Sequence, residues 1–208
     1  MKHERRDWTW FPGVLLLLLG LVLSIALTLT DTVKSDSFRI PVDGDRAIVA
    51  RIYAPRFADP PYPAMILCHG VNNHKGTMAP LALELARVGI AAIAFDFGGY
   101  GESYNLPVSD RSVEGLQGST NADARTVLKF ARSRPDLFDG DRLAIGGHSL
   151  GGLTALQVGR SDPRLRATVV LSASGDATLT APTNLFLGVG AYEQINPPSQ
   201  LRQTLQLA

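Results

Sequence analysis

From Val14 to Leu29 the chain is an almost continuous run of Leu, Val, Ile and Ala, and no charged residue lies between Asp7 and Asp31. A helix over about Phe11 to Thr30 would measure roughly 30 Å at ~1.5 Å per residue, the thickness of a bilayer's hydrocarbon core. Trp8, Trp10 and Phe11 at its start suit the headgroup interface. A run with no polar face fits a buried core helix poorly. The basic leader Lys2, Arg5 and Arg6 also fits a signal peptide. However, the run is long for a signal core, and only Thr28-Leu29-Thr30 stands where a small-residue cleavage site belongs. The pattern thus predicts a basic and aromatic flank over residues 1–10, a single-pass membrane anchor over 11–30, and a folded domain over 31–208. Lys34, Arg39 and Arg46 nearly balance the leading cations. The tighter cluster before the span leans towards a cytoplasmic N-terminus and a domain on the exported side.

Beyond the anchor the pattern changes to short apolar runs separated by amphipathic stretches. Phe38–Val42 and Ala47–Tyr53 read as strands joined by the turn at Asp43-Gly44-Asp45. Ala64–Cys68, Ile90–Phe95, Leu143–Ile145, Ala167–Leu171 and Leu185–Leu187 are apolar without polar alternation, as in strands buried on both faces. Met78–Val88, Asn121–Arg132 and the segment from Ser149 to Val158 have helical spacing, and Ser199–Leu207 looks like a helix start. Strands alternating with helices predict an α/β fold, a mostly parallel, doubly wound sheet covered on both faces. Ligands in such sheets sit at the carboxyl ends of the strands.

Composition narrows the functions. The 208 residues carry 20 basic and 19 acidic side chains, a net charge of +1, so binding of nucleic acid by bulk electrostatics is not expected. The single cysteine, Cys68, excludes an internal disulfide and a Cys-rich zinc site, and on a buried strand it reads as a core residue. No dinucleotide fingerprint or phosphate loop is present. The reading therefore includes no cofactor and no metal.

The informative chemistry lies at Gly147-His148-Ser149-Leu150-Gly151. It follows a strand and opens a helix, the context of a nucleophile elbow. There a serine occupies a crowded turn that needs small neighbours, supplied by Gly147, Gly151 and Gly152. His69-Gly70-Val71 ends the first buried strand of the parallel series. In this arrangement one oxyanion donor comes from that loop and the other from the residue after the nucleophile, here the amides of Val71 and Leu150. Asn72, Asn73 and Lys75 read as a polar rim.

From about Phe38 onward the chain resembles the α/β-hydrolase superfamily, nearer its serine-aminopeptidase-like, lipase-like and dienelactone-hydrolase-like branches. The resemblance rests on Leu67-Cys68-His69-Gly70, on Phe95-Asp96-Phe97-Gly98-Gly99-Tyr100-Gly101-Glu102-Ser103, and on the stretch from Asp141 to Gly152. Phe97 stands where that superfamily commonly carries a basic or polar residue. The resemblance implies Ser149 as nucleophile and an acid after a later strand. Glu193 fits that place better than Asp176, which follows the preceding strand. It also implies a histidine after the acid, but His3, His69, His74 and His148 all precede Ser149. His69 reads as a brace of the oxyanion loop, and His74 as a remote candidate base. The expectation is a membrane-anchored serine hydrolase lacking its last strand and catalytic histidine in these residues, acting on a small-molecule or lipid-like ester, thioester or amide. A catalytically dead binding protein and an acyltransferase stay open beside it.

Overall fold

The structure is a computed structural model that describes residues 10–29, 32–106, 113–173, 180–182, 184–191 and 199. The chain divides into two compact units, Met1–Thr32 and Val33–Ala208. In the first, α1 (Phe11–Leu29) is a 19-residue helix. Every described side chain from Trp10 to Ile25 is exposed, on all sides of the helix. Side chains are described only as far as Ile25, and among the described residues no helix is long and apolar enough to cross a membrane. The predicted span is therefore not carried by the structure.

The second unit is a seven-stranded sheet in the order β1-β2-β4-β3-β5-β6-β7. Its strands are β1 (Val33–Asp43), β2 (Arg46–Pro55), β3 (Tyr62–Cys68), β4 (Ala91–Phe95), β5 (Phe138–His148), β6 (Ala167–Leu171) and β7 (Leu185–Gly188). β1 and β2 form an antiparallel hairpin, β2 joins β4 antiparallel, and the other neighbours are parallel. Gly44 turns the hairpin with φ +45°, a conformation that glycine adopts without a Cβ penalty.

Alternate residues of β3 feed opposite cores. Ala64, Ile66 and Cys68 pack with Ala124, Val127, Leu128 and Ala131 of α3 (Val113–Arg132) and with Ala155 and Val158 of α4 (Leu150–Ser161). Met65 and Leu67 pack with Ala82 and Ala86 of α2 (Ala79–Arg87) on the other face. Helices on both faces explain why the strands are apolar throughout, as the pattern predicts.

Two elements outgrow their predicted bounds. β5 spans 11 residues from Phe138, because Phe138 pairs with Tyr62 well before the apolar run begins at Leu143. α3 starts at Val113, eight residues before Asn121, since its first turns are mostly polar and carry no periodic apolar signal. The helix start expected at Ser199–Leu207 lies, apart from Ser199 itself, outside the described residues.

The sheet order places the site. After β3 the chain adds β4 on one side, then crosses through α3 to lay β5 on the other side of β3. The carboxyl ends of β3 and β5 are therefore adjacent, with Cys68 opposite Gly147. A strand-order reversal of this kind opens the crevice where ligands bind in such sheets.

Candidate active site

Ser149 is the N-cap of α4, with φ 53° and ψ −118°. A non-glycine residue there costs about 1–3 kcal/mol and persists only where its surroundings enforce it. The enforcement is visible. The Ser149 amide donates to the Leu171 carbonyl at 2.9 Å, and its carbonyl accepts from the Leu153 amide at 3.0 Å. On the inner side the turn is pressed against β3. A Cβ on Gly147 would stand 2.8 Å from the Cys68 carbonyl oxygen and closer still to that of Gly151. A Cβ on Gly151 would meet the His69 carbonyl oxygen at 2.5 Å and the Cys68 one more closely. Gly152 is closed off by Ala173, 2.8 Å away on the same basis. The glycines are thus a packing requirement of the crossing between β3 and α4. First-turn amides of a helix have no intrahelical acceptor, so the Leu150 amide is left available at this end.

The loop after β3 comes to the same place. A Cβ on Gly70 would lie 3.5 Å from the Ser149 Cβ and 3.2 Å from His148 Nδ1. Val71 follows, 47% exposed. The structure therefore brings Gly70, His148 and Ser149 together, with Val71 and Leu150 next to them in the chain. Glu193 and Asp176 lie outside the described residues, as does His3.

His69 is fully buried. Its Nε2 accepts from the Phe97 amide at 3.1 Å, which leaves the proton on Nδ1, 2.8 Å from the Gly70 carbonyl oxygen it donates to. Its ring packs 4.8 Å from Phe97 and 5.3 Å from Tyr100, between centroids. Burial holds its pKa below the ordinary histidine value. His69 is thus a neutral brace of the loop, in line with its reading from the sequence. Phe97, at the position of the superfamily's polar residue, is buried against that ring. His74 is exposed, and its Nδ1 accepts from the Gly76 amide at 3.1 Å, capping the 3-10 turn Lys75–Met78. Among the described residues no histidine hydrogen-bonds the Ser149 hydroxyl. Burial pushes the Cys68 thiol far up, so it is an inert core group.

The neutral state of His69 has a measurable consequence. An unfolded imidazole takes up a proton near pH ~6.5, whereas the buried one resists it. The unfolded state therefore binds more protons below that pH. The contribution is intact above pH ~6.5 and is lost as pH falls from there towards the lowered folded value, at up to ~1.4 kcal/mol per pH unit. Urea unfolding at stepped pH should show this slope, and His69→Gln should flatten it. An equally steep slope in the variant would assign the proton to another group.

The rim reading of Lys75 is corrected. Its side chain is buried, with the residue only 8% exposed, and it reaches Asp96 at the carboxyl end of β4. Sequence reasoning also passed over Asp123 of α3, a buried carboxylate that accepts from the Gly98 amide and the Tyr104 hydroxyl, both at 2.8 Å. Burial raises its pKa, against the two hydrogen bonds. Both acids pin the loop between β4 and α3. The Asp-x-x-Gly spacing from Asp96 to Gly99 hints at the first of them only. A cavity of about 470 Å³ lined by Arg125, Lys129, Arg132 and Asp162 lies at the far end of α4 from Ser149 and plays no part in this geometry.

A family profile described as "Serine aminopeptidase, S33" matches residues 59–197. The chain belongs to this family, within the α/β-hydrolase superfamily. It is 29% identical over 124 residues to Esterase YjfP of Escherichia coli (strain K12), covering 59% of this chain and 50% of that one. Among solved structures it is similar to a cold-adapted esterase from an Arctic intertidal metagenomic library, with TM-score 0.67, 22% identity, and 85% and 80% of the two chains covered. It is also similar to a ferulic acid esterase from Streptomyces cinnamoneus, with TM-score 0.67, 19% identity and 86% and 71% covered. At those identities the structures speak for the fold. The chain spans 42% to 50% of the length of the first curated relatives it matches. Family and fold together make this a chain of the α/β-hydrolase superfamily.

Proposed function

We propose that this chain is a membrane-anchored serine hydrolase that cleaves a carboxylic ester, thioester or amide through an acyl-enzyme on Ser149. The observation that carries the proposal is the left-handed backbone of Ser149, held between glycine-lined turns where the ends of β3 and β5 meet. A strained residue at a strand-order reversal is the expected setting for an exposed nucleophile.

In this reading the Ser149 hydroxyl attacks the substrate carbonyl carbon. The amides of Val71 and Leu150 hold the oxyanion, and the leaving group departs with a proton to give the acyl-enzyme, which water then cleaves. The serine's proton must pass to a base. His69 has both ring nitrogens engaged and His74 caps a turn. In this reading the proton passes to the histidine that the family's triad implies, oriented by Glu193. The anchor is residues 11–30, with the catalytic unit on the exported side. Its support is the uncharged, largely apolar sequence from Trp8 to Thr30, of the kind that seeks an apolar surrounding.

One experiment tests both parts. A fluorescent phosphonate applied to cells expressing the full protein should label the peptide containing Ser149, and the labelled protein should stay with membranes after carbonate washing. A label on another residue overturns the nucleophile. Release of labelled protein into the wash overturns the anchor.

A further inference from the structure

We propose that Lys75, acting through the buried carboxylate of Asp96, fixes the place of the Val71 amide, the oxyanion donor, relative to Ser149, so that Lys75 and Asp96 are both positioning residues for the reaction. The inference rests on the roles proposed above for Ser149 and Val71.

The loop from His69 to Lys75 is fastened at both ends to one short stretch, Asp96-Phe97, at the carboxyl end of β4. At the first end His69 accepts the Phe97 amide. At the second, Asp96 Oδ1 accepts from the Lys75 amide at 2.6 Å, and Asp96 Oδ2 accepts from the Lys75 ammonium at 2.7 Å. Asp96 thus grips main chain and side chain of one residue together. The same Oδ2 takes the Glu102 amide at 2.9 Å, and the ammonium also pairs with the Glu102 carboxylate. A Cβ on Gly101 would overlap the Asp96 carboxylate, so the neighbouring loop is folded tightly over the pair. Between the two fastenings lie Val71, about half exposed, and Asn72, in the left-handed region at φ 56°. The exposed stretch that carries the proposed donor is held from its ends.

The chemistry of the fastening argues for precision over stability. Burying an ammonium and a carboxylate is expensive, and their attraction roughly offsets the expense only when the geometry is good and the remaining bonds are made. A well-packed apolar pair would hold the loop at least as firmly. What the ion pair adds is direction: three donors converge on one carboxylate, two of them from Lys75 itself. Burial pushes the Asp96 carboxyl up, but the Lys75 hydrogen bonds outweigh it and hold it below its usual range. Burial likewise works against the Lys75 ammonium, whose pKa is nevertheless raised by its bonds to Asp96 and Glu102.

The test is a kinetic cycle on an activated aryl ester, run in the full protein with melting temperatures measured in parallel. Lys75→Met should lower kcat by ~10²-fold, the scale of a misplacement of about 1 Å, with KM little changed. Val71→Pro, which removes the amide proton, should lower kcat by ~10²–10³-fold. The double variant should be no slower than Val71→Pro alone, within about twofold, because Lys75 acts through that amide. Lys75→Arg, which keeps the charge, should recover part of the rate. Losses that multiply in the double variant, or an unchanged kcat in Lys75→Met, would overturn the positioning role. If Lys75→Met does not fold, Asp96→Asn carries the same expectation, since it keeps an acceptor for the Lys75 amide and loses the charge; a wild-type kcat there overturns it equally. A Val71→Pro variant with full activity, alongside an inactive Ser149→Ala, would instead refute the oxyanion assignment and leave Ser149 standing.

Discussion

Ser149→Ala is expected to abolish phosphonate labelling and to lower ester turnover by ~10⁶-fold, to the level that the oxyanion donors and binding alone sustain. The fold should survive. Although Ser149 is the N-cap of α4, its hydroxyl makes no capping hydrogen bond, so the helix loses no bond when the oxygen is removed. The backbone bonds to Leu171 and from Leu153 remain available to alanine. Alanine also tolerates φ 53° no better than serine does, so the melting temperature should change little. Circular dichroism and thermal unfolding would check the fold, and labelling with a titrated ester assay would check the chemistry. A variant that keeps ordinary turnover would remove Ser149 from the mechanism altogether.

The second large effect is on stability. Gly151→Ala should cost ~3 kcal/mol or more, the upper part of the range for overpacking. Its Cβ would be driven against the carbonyl oxygens of Cys68 and His69. Those are backbone atoms at the end of a central strand, and a rotamer change cannot move them aside. Relief requires α4 to retreat from β3, which would also separate Ser149 from the Gly70 loop. Both the urea midpoint and the labelling rate should therefore fall. A useful contrast is Gly118 within α3, where an added Cβ would have no neighbour within 4 Å. Alanine there meets no obstacle and favours the helix by about 0.5–1 kcal/mol. Equal tolerance at the two glycines would show that α4 does not press on β3 at this crossing.

The elbow could be recognised from sequence because everything that defines it is local. An apolar strand, a serine flanked by glycines and a helix start follow one another within a few residues, and local sterics dictate the turn. The same holds for the alternation of apolar strands with helices, which specifies a parallel sheet covered on both faces, and for His69, whose place at the end of an apolar strand marks it as a brace. The long β5 escaped because its pairing passes from Phe138 to Leu143 across the polar stretch from Asp139 to Arg142, which has no apolar run to read, and the early start of α3 escaped because its polar first turns have no apolar rhythm.

The role of Lys75 escaped for a different reason. It is 21 residues from Asp96 and 27 from Glu102, and in one dimension it is one more polar residue in a loop. Only the laying of β4 beside β3 brings Asp96 under that loop. The same holds for Asp123, which meets Gly98 and Tyr104 across 25 and 19 residues. Which residues can do chemistry was thus written in side-chain type and local spacing. Which residues hold that chemistry in place was decided by strand order, because burial makes a charged group seek partners and the sheet determines which partners are within reach.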